Sequence, residues 1–269
     1  MGIAGFVAGV TLWGALAGIL LPRAAYRLSV EAGLPWRSAC PAGHPLSGPA
    51  GGWLGLAVCP GCQSEPATAT GRRRGYAPVG GAVLATTLVC LALGAGVGAR
   101  PELFVWLLLA PFTVLLCLVD RAVHRLPDVL TLPLAAGTAA ALGTAALATG
   151  TAGSWTRALL GGLVLGGCYY LLHFINPRGM GFGDVTLALT VGQVLGWYGW
   201  FVLFAGTFAA FLAGTVYGYA LIALRRADRT SPIAFGPFMA AGALAGVICA
   251  GLGLGLGLGL GTGLGAGLP

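Results

Sequence analysis

Two carboxylates set 64 residues apart carry the most chemical potential in this chain. Asp120 lies in LVDRAVHRLPDVLTLP (residues 118–133), and Asp184 closes GMGFGD (residues 179–184). The chain has only four aspartates, and a third, Asp128, shares the first stretch. Two carboxylates held within hydrogen-bond reach cannot easily both ionise, so such a pair holds one proton. One member can then deprotonate a water while the other polarises a carbonyl, which is the chemistry of aspartic proteolysis. The pair, and neither residue alone, then owns the titration. Gly179, Gly181 and Gly183 precede the second acid. Glycines there allow backbone angles closed to other residues and let an extended substrate strand approach. Plainer roles stand beside this one. Asp128 follows Pro127 and opens VLTLP, the position of a helix N-cap. Asp184 could equally cap a helix, and Asp120 could pair with Arg121 or Arg125.

The elements that must position these acids are membrane helices. The 269 residues are 57% hydrophobic and 8% charged, with mean hydropathy +0.90, against about 25% charged in a soluble domain. A helix crosses a bilayer core with about 20 apolar residues. Runs at 3–22, 75–99, 103–119, 129–156 and 158–177 each suffice or nearly so. The 40 uncharged residues 185–224 make two passes if GWYGW (196–200) turns the chain, and 230–269 supply another. The expectation is an all-α polytopic membrane protein of about eight helices. The Gly/Leu tail is expected to fray beyond about residue 258, because glycine weakens a helix. The first run has no charge before Arg23, so it reads as a retained helix and not a signal peptide.

All 14 basic residues are arginine. With eight passes, twelve fall on one side: Arg23, Arg27, Arg37, Arg72, Arg73, Arg74, Arg121, Arg125, Arg178, Arg225, Arg226 and Arg229. Only Arg100 and Arg157 fall on the other. The positive-inside rule makes the crowded side cytoplasmic. Asp120 ends helix three and Asp184 opens helix six on that same side. The net charge of +7 is a topology signal and does not argue for nucleic acid. An acid inside a membrane segment is a functional-site candidate.

These residues resemble the type IV prepilin leader peptidases, polytopic aspartic proteases with a Gly-x-Gly-Asp motif. LVDRAVHRLPDVLTLP is similar to the family's first aspartate box and GMGFGD to its second. SPIAFGPFMAAGALAG (231–246) resembles its Pro-Phe-Gly-Pro-Phe segment, and WRSACPAGHPL with VCPGC resembles its cytoplasmic cysteine insert. The resemblance implies Asp120 and Asp184 as catalytic acids in a bacterial inner-membrane enzyme, working at the cytoplasmic face. It implies removal of a basic leader from prepilin or pseudopilin precursors, in pilus assembly or protein secretion. It also implies N-methylation of the new terminus with S-adenosylmethionine. Thr186 stands where the family commonly has lysine.

Of seven cysteines, Cys90, Cys117, Cys168 and Cys249 lie in apolar runs and read as packing residues. The family insert carries two Cys-x-x-Cys pairs. Here the second is intact (Cys59, Cys62), and the first is reduced to Cys40-Pro-Ala-Gly-His44. His44 in place of the missing sulfur gives a three-sulfur, one-nitrogen set suited to structural zinc. A loop this small and rich in Gly and Pro needs such a staple. The expected organisation is a first helix at 1–22, a cytoplasmic insert at 23–78 with the altered methyltransferase-type motif, and peptidase helices at 79–269. Two rival readings are a proton-coupled transporter and an inactive pilus-assembly membrane protein. The first lacks the internal repeat many transporters show.

Overall fold

The structure is a computed structural model, and it describes residues 2–31, 33–64, 76–77, 79–177, 179–226, 228 and 232–253. Arg72, Arg73, Arg74, Arg178, Arg229 and the Gly/Leu tail from 254 lie outside the described residues. Ten helices occur among those described: α1 (Ile3–Leu28), α2 (Pro49–Gly52), α3 (Pro60–Ser64), α4 (Val79–Val97), α5 (Glu102–Val123), α6 (Asp128–Ala145), α7 (Trp155–Ile175), α8 (Phe182–Tyr198), α9 (Trp200–Ala223) and α10 (Gly236–Gly251). Helices α2 and α3 are single turns; the other eight fall on the segments expected to be helical. Six of them (α1, α4, α5, α6, α7 and α9) are long and apolar enough to cross a membrane, and α10 is a shorter apolar helix. The protein is an all-α, multi-pass membrane protein. Its large exposed side chains, such as Phe104, Phe174, Phe204, Phe208 and Leu147, are what lipid-facing surface requires.

Helix α8 is the central element, packed against α6, α7, α9 and α10. It pairs most closely with α7, where Gly161 faces Gly192 and Gly196. A Cβ on any of the three would lie within about 3 Å of the opposite backbone, so small residues set this approach, as in membrane helix pairs generally. The GWYGW turn is a single residue, Gly199, at φ 147° between α8 and α9. Glycine alone adopts that angle without strain.

Helix α1 does not stop where its arginines begin. It runs through Pro22 and Arg23 to Leu28, because those arginines are anchored. Arg23 is buried, and its guanidinium donates to the carbonyls of Ser47 (2.7 Å) and Leu56 (3.3 Å). Arg27 stacks over Trp53 at 4.2 Å and donates to Gly51 O at 2.9 Å. The end of α1 is therefore the platform on which the insert folds.

Candidate active site

Asp120 occupies the last turn of α5 and is 4% exposed. The helix ends at once: His124 takes the left-handed conformation (φ 50°), and its N–H donates to the Asp120 carbonyl at 2.7 Å. The chain then turns inward and buries Leu126. The Asp120 carboxylate accepts a hydrogen bond on Oδ2 from the Gly236 backbone N–H at 2.8 Å. Gly236 is the first residue of α10, so the positive end of that helix faces the carboxylate. A Cβ at position 236 would sit 2.9 Å from Oδ2. Only glycine leaves that approach undisturbed.

Asp184 lies in the first turn of α8, with its N–H donating to Gly181 O at 3.1 Å. It lies within electrostatic range of Asp120 and of Tyr169, a fully buried residue of α7. Tyr169 is itself walled by the rings of Phe211 and Phe235. Leu126 packs between the two acid-bearing segments. A Cβ on Gly183 would meet Leu126 Cβ and carbonyl at 2.6 Å each, and Leu126 Cδ1 also approaches Gly236. Thus α5, α8 and α10 bring both expected acids to one end of the bundle around one leucine.

The glycines of GMGFGD serve by size more than by angle. None of Gly179, Gly181 and Gly183 has a positive φ. Gly183 is helical and lets Leu126 seat. Gly179 is crowded by the Asn176 side chain, while a Cβ on Gly181 would meet nothing within 4 Å but Asp184 Oδ2 at 3.5 Å. Gly181 is therefore the one of the three with open space beside the acid. His173 of α7 ties the loop down: its Nδ1–H donates to Met180 O at 2.8 Å, and its ring meets Phe182 edge-on.

Asp128 is the first residue inside α6. The N-cap position expected for it belongs to Pro127, with no side-chain capping bond there. Its Oδ1 instead accepts from the Thr186 hydroxyl at 3.2 Å. Thr186 is buried, lies 2.7 Å from the Thr131 hydroxyl and is also within 2.9 Å of Gly183 O. One hydroxyl has a single proton to donate, so Thr131 supplies the proton of the Thr–Thr contact when Thr186 donates to Asp128 or Gly183. Threonine thus fills the lysine position with a neutral link between α6 and α8. Sequence reasoning passed over Gly236, Leu126, Tyr169 and Thr131, and noted Thr186 only for the lysine it replaces. The Gly-Pro step at 236–237, a helix-start signal inside a resemblance box, was the available clue to the first.

The insert gathers Cys40, His44, Cys59 and Cys62, with one ligand atom from each lying within 4.8 Å of the others. Cys40 Sγ is 3.7 Å from both Cys62 Sγ and His44 Nδ1, and Cys62 Sγ is 3.4 Å from His44 Nδ1. Tetrahedral zinc with Zn–S about 2.3 Å and Zn–N about 2.0–2.1 Å implies edges of roughly 3.8 and 3.6 Å. The four donors therefore fit a metal ion, with Nδ1 as the imidazole donor. Local structure explains the fit. An Ala39–Pro45 bridge and a Cys40 N–H to His44 O bond (2.9 Å) pinch the first loop. Gly61 of the second lies against the His44 ring, where a Cβ would come within 3.0 Å. Burial opposes ionisation of Cys40, but hydrogen bonds at Ala42, His44, Cys62 and Cys59 outweigh it and bring the thiol down to about 6. Burial and the neighbouring Cys40 and Cys59 push Cys62 up to about 11.

Comparison with known proteins bears on this arrangement. The profile of the type IV leader peptidase family matches residues 107–219, which hold Asp120, Asp128 and Asp184. A "Prepilin leader peptidase/N-methyltransferase" of Aeromonas salmonicida (strain A449) is 33% identical over 220 residues, covering 76% of this chain and 68% of the relative. The chain belongs to the type IV leader peptidase family. The Aeromonas hydrophila protein of the same name is 34% identical with the same coverage. The Pseudomonas aeruginosa one is 34% identical over 143 residues, covering 51% of this family member and 45% of the relative. No solved structure matches the chain.

Proposed function

We propose that this family member is a prepilin peptidase: an intramembrane aspartic endopeptidase that removes the leader from prepilin-like precursors. The observation that carries the assignment is that Leu126 packs against both Gly183, beside Asp184, and Gly236, whose N–H donates to Asp120, so that the two acids share one end of the bundle. Asp120 and Asp184 are the proposed catalytic acids. One is ionised and takes a proton from water; the other, protonated, donates to the scissile carbonyl oxygen as the water oxygen attacks. The amine then leaves with a proton and the dyad returns to its singly protonated state. The open side of Gly181 is the proposed seat of the extended substrate strand. Asp128 supports the site through Thr186. This end of the bundle is taken to face the cytoplasm at a bacterial inner membrane, a reading that the arginine distribution supports.

We assign the segment between α1 and α4 (residues 29–78) to a cytoplasmic insert, and α4 to α10 to the peptidase helices. Cys40, His44, Cys59 and Cys62 would hold zinc, which supplies a structural cross-link and no step of the proteolysis. The relatives' name includes N-methyltransferase activity, which requires S-adenosylmethionine or an equivalent donor. Among the described residues no constellation singles out its site, so no methyl-transfer step is assigned. The test is co-expression with pilin-like precursors, with and without Asp184→Asn, reading the mature N-terminus by mass spectrometry. A shortened product that vanishes in the variant supports the peptidase, and an added methyl mass would extend it to methylation. Precursors left intact by the wild-type chain would refute the assignment and favour an inactive relative.

A further inference from the structure

A cleft of about 720 Å³ lies between the end of α1 and helices α4, α5 and α10. Its shape follows from how α4 and α10 meet. At one end they touch: a Cβ on Gly251 would lie 2.5 Å from Gly96 O, and one on Gly96 would lie 3.1 Å from Ile248 Cα. Towards the other end they part, leaving Ala82 and Ala85 facing Ala240 and Ala241 across the gap, with Val114 and Leu118 of α5 as its floor. From Arg121 down to Val114 the cleft is about 10 Å deep. Its mouth is different in kind, with Tyr26, Tyr76, Arg37 and Arg121 around the opening. Arg37 is fixed there, donating to Tyr26 O at 3.3 Å and stacked over the Tyr26 ring at 4.6 Å. That leaves most of its five N–H donors for a ligand. Arg121 is exposed in the last turn of α5.

We propose that this cleft binds one anionic phospholipid, with an acyl chain between α4 and α10 and the phosphate between Arg37 and Arg121. Apolar walls at membrane depth do not hold water, so the occupant is apolar along its length. Two guanidinium groups at the interface select an anionic head, as basic pockets between membrane helices do on the cytoplasmic side. A peptide helix fits less well. A basic leader at its end would meet two arginines. The site adjoins the candidate dyad without being part of it: Arg121 follows Asp120, and Pro237, which lines the cleft, follows Gly236.

The test is native mass spectrometry of the full chain from nanodiscs containing phosphatidylglycerol or phosphatidylcholine with matched acyl chains. The readout is retained lipid and needs no proteolysis, so it stands apart from the peptidase assignment. Wild type is expected to retain one phosphatidylglycerol in preference to phosphatidylcholine. Neutralising both arginines (Arg37→Gln with Arg121→Gln) lowers its affinity roughly 30-fold, at the usual contribution per arginine near an anionic surface. Ala85→Phe, which fills the cleft from the opposite wall, also removes the lipid. Equal retention of the two lipids, or retention untouched by the arginine changes, would overturn the proposal. So would displacement of bound lipid from wild type by an apolar precursor segment, which would make the cleft a substrate groove.

Discussion

Gly236→Ala tests the site more sharply than removing an acid, because it leaves both carboxylates in place. The added methyl would lie 2.9 Å from Asp120 Oδ2 and 3.4 Å from its Cγ. The carboxylate must swing away, and the 2.8 Å bond from the Gly236 N–H is lost or lengthened. A hydrogen bond to a charged group is worth about 1.5–3 kcal/mol. If that bond orients Asp120 for the chemical step, the rate constant falls by about 10- to 150-fold. The assay is initial-rate cleavage of a saturating pilin-like precursor in membranes, normalised to enzyme abundance by immunoblot. The expected signature is a lower kcat with little change in KM, since the methyl touches the acid and not the proposed substrate strand. Wild-type kcat in Gly236→Ala, in a chain that Asp120→Asn inactivates, would refute the argument that the start of α10 positions this acid.

Other outcomes follow from the same geometry. Asp120→Asn and Asp184→Asn should each abolish cleavage at unchanged abundance, whereas Asp128→Asn should lower it only modestly; the reverse order would move the first acid to Asp128. Gly183→Ala should lower the thermal unfolding temperature together with activity, because the methyl meets Leu126 at 2.6 Å on both side chain and backbone and overpacking of this kind costs about 1–3 kcal/mol. Purified protein should carry one zinc by elemental analysis. Cys40→Ser should lose it, His44→Cys should keep it, and Gly61→Ala should weaken it by crowding the imidazole.

The eight long helices were legible because a bilayer leaves few options. A segment that is apolar all round and about 20 residues long can satisfy its backbone only as a helix. Even the turn at Gly199 was visible, since aromatic and glycine residues interrupt a 40-residue apolar run there. Boundaries were less so. Nothing in the run before Arg23 shows that α1 continues to Leu28, because the continuation depends on carbonyls of Ser47, Gly51 and Leu56, which lie in a separate segment of the chain. The Cys/His cluster was readable as a set of donors, but which imidazole nitrogen faces the sulfurs depends on the packing of Gly61 against the ring.

The candidate site shows most clearly what one sequence withholds. Its acids were identifiable as charged groups in an uncharged chain, so scarcity itself marked them. Their supports carry no charge and have no reason to stand out. Gly236 acts through a backbone N–H, Leu126 through volume, and Thr131 and Thr186 through one shared proton. The glycines before Asp184 mislead for the same reason. Glycine in a loop suggests unusual backbone angles, yet here the angles are ordinary and the missing side chain is what matters. At Gly183 the space admits Leu126, and at Gly181 it stays open beside the acid. That contrast makes the two glycines experimentally separable. Gly183→Ala should destabilise the fold along with the activity, whereas Gly181→Ala should leave stability intact and raise KM if a substrate strand lies there. Unchanged KM and kcat in Gly181→Ala would remove the substrate from that side of Asp184.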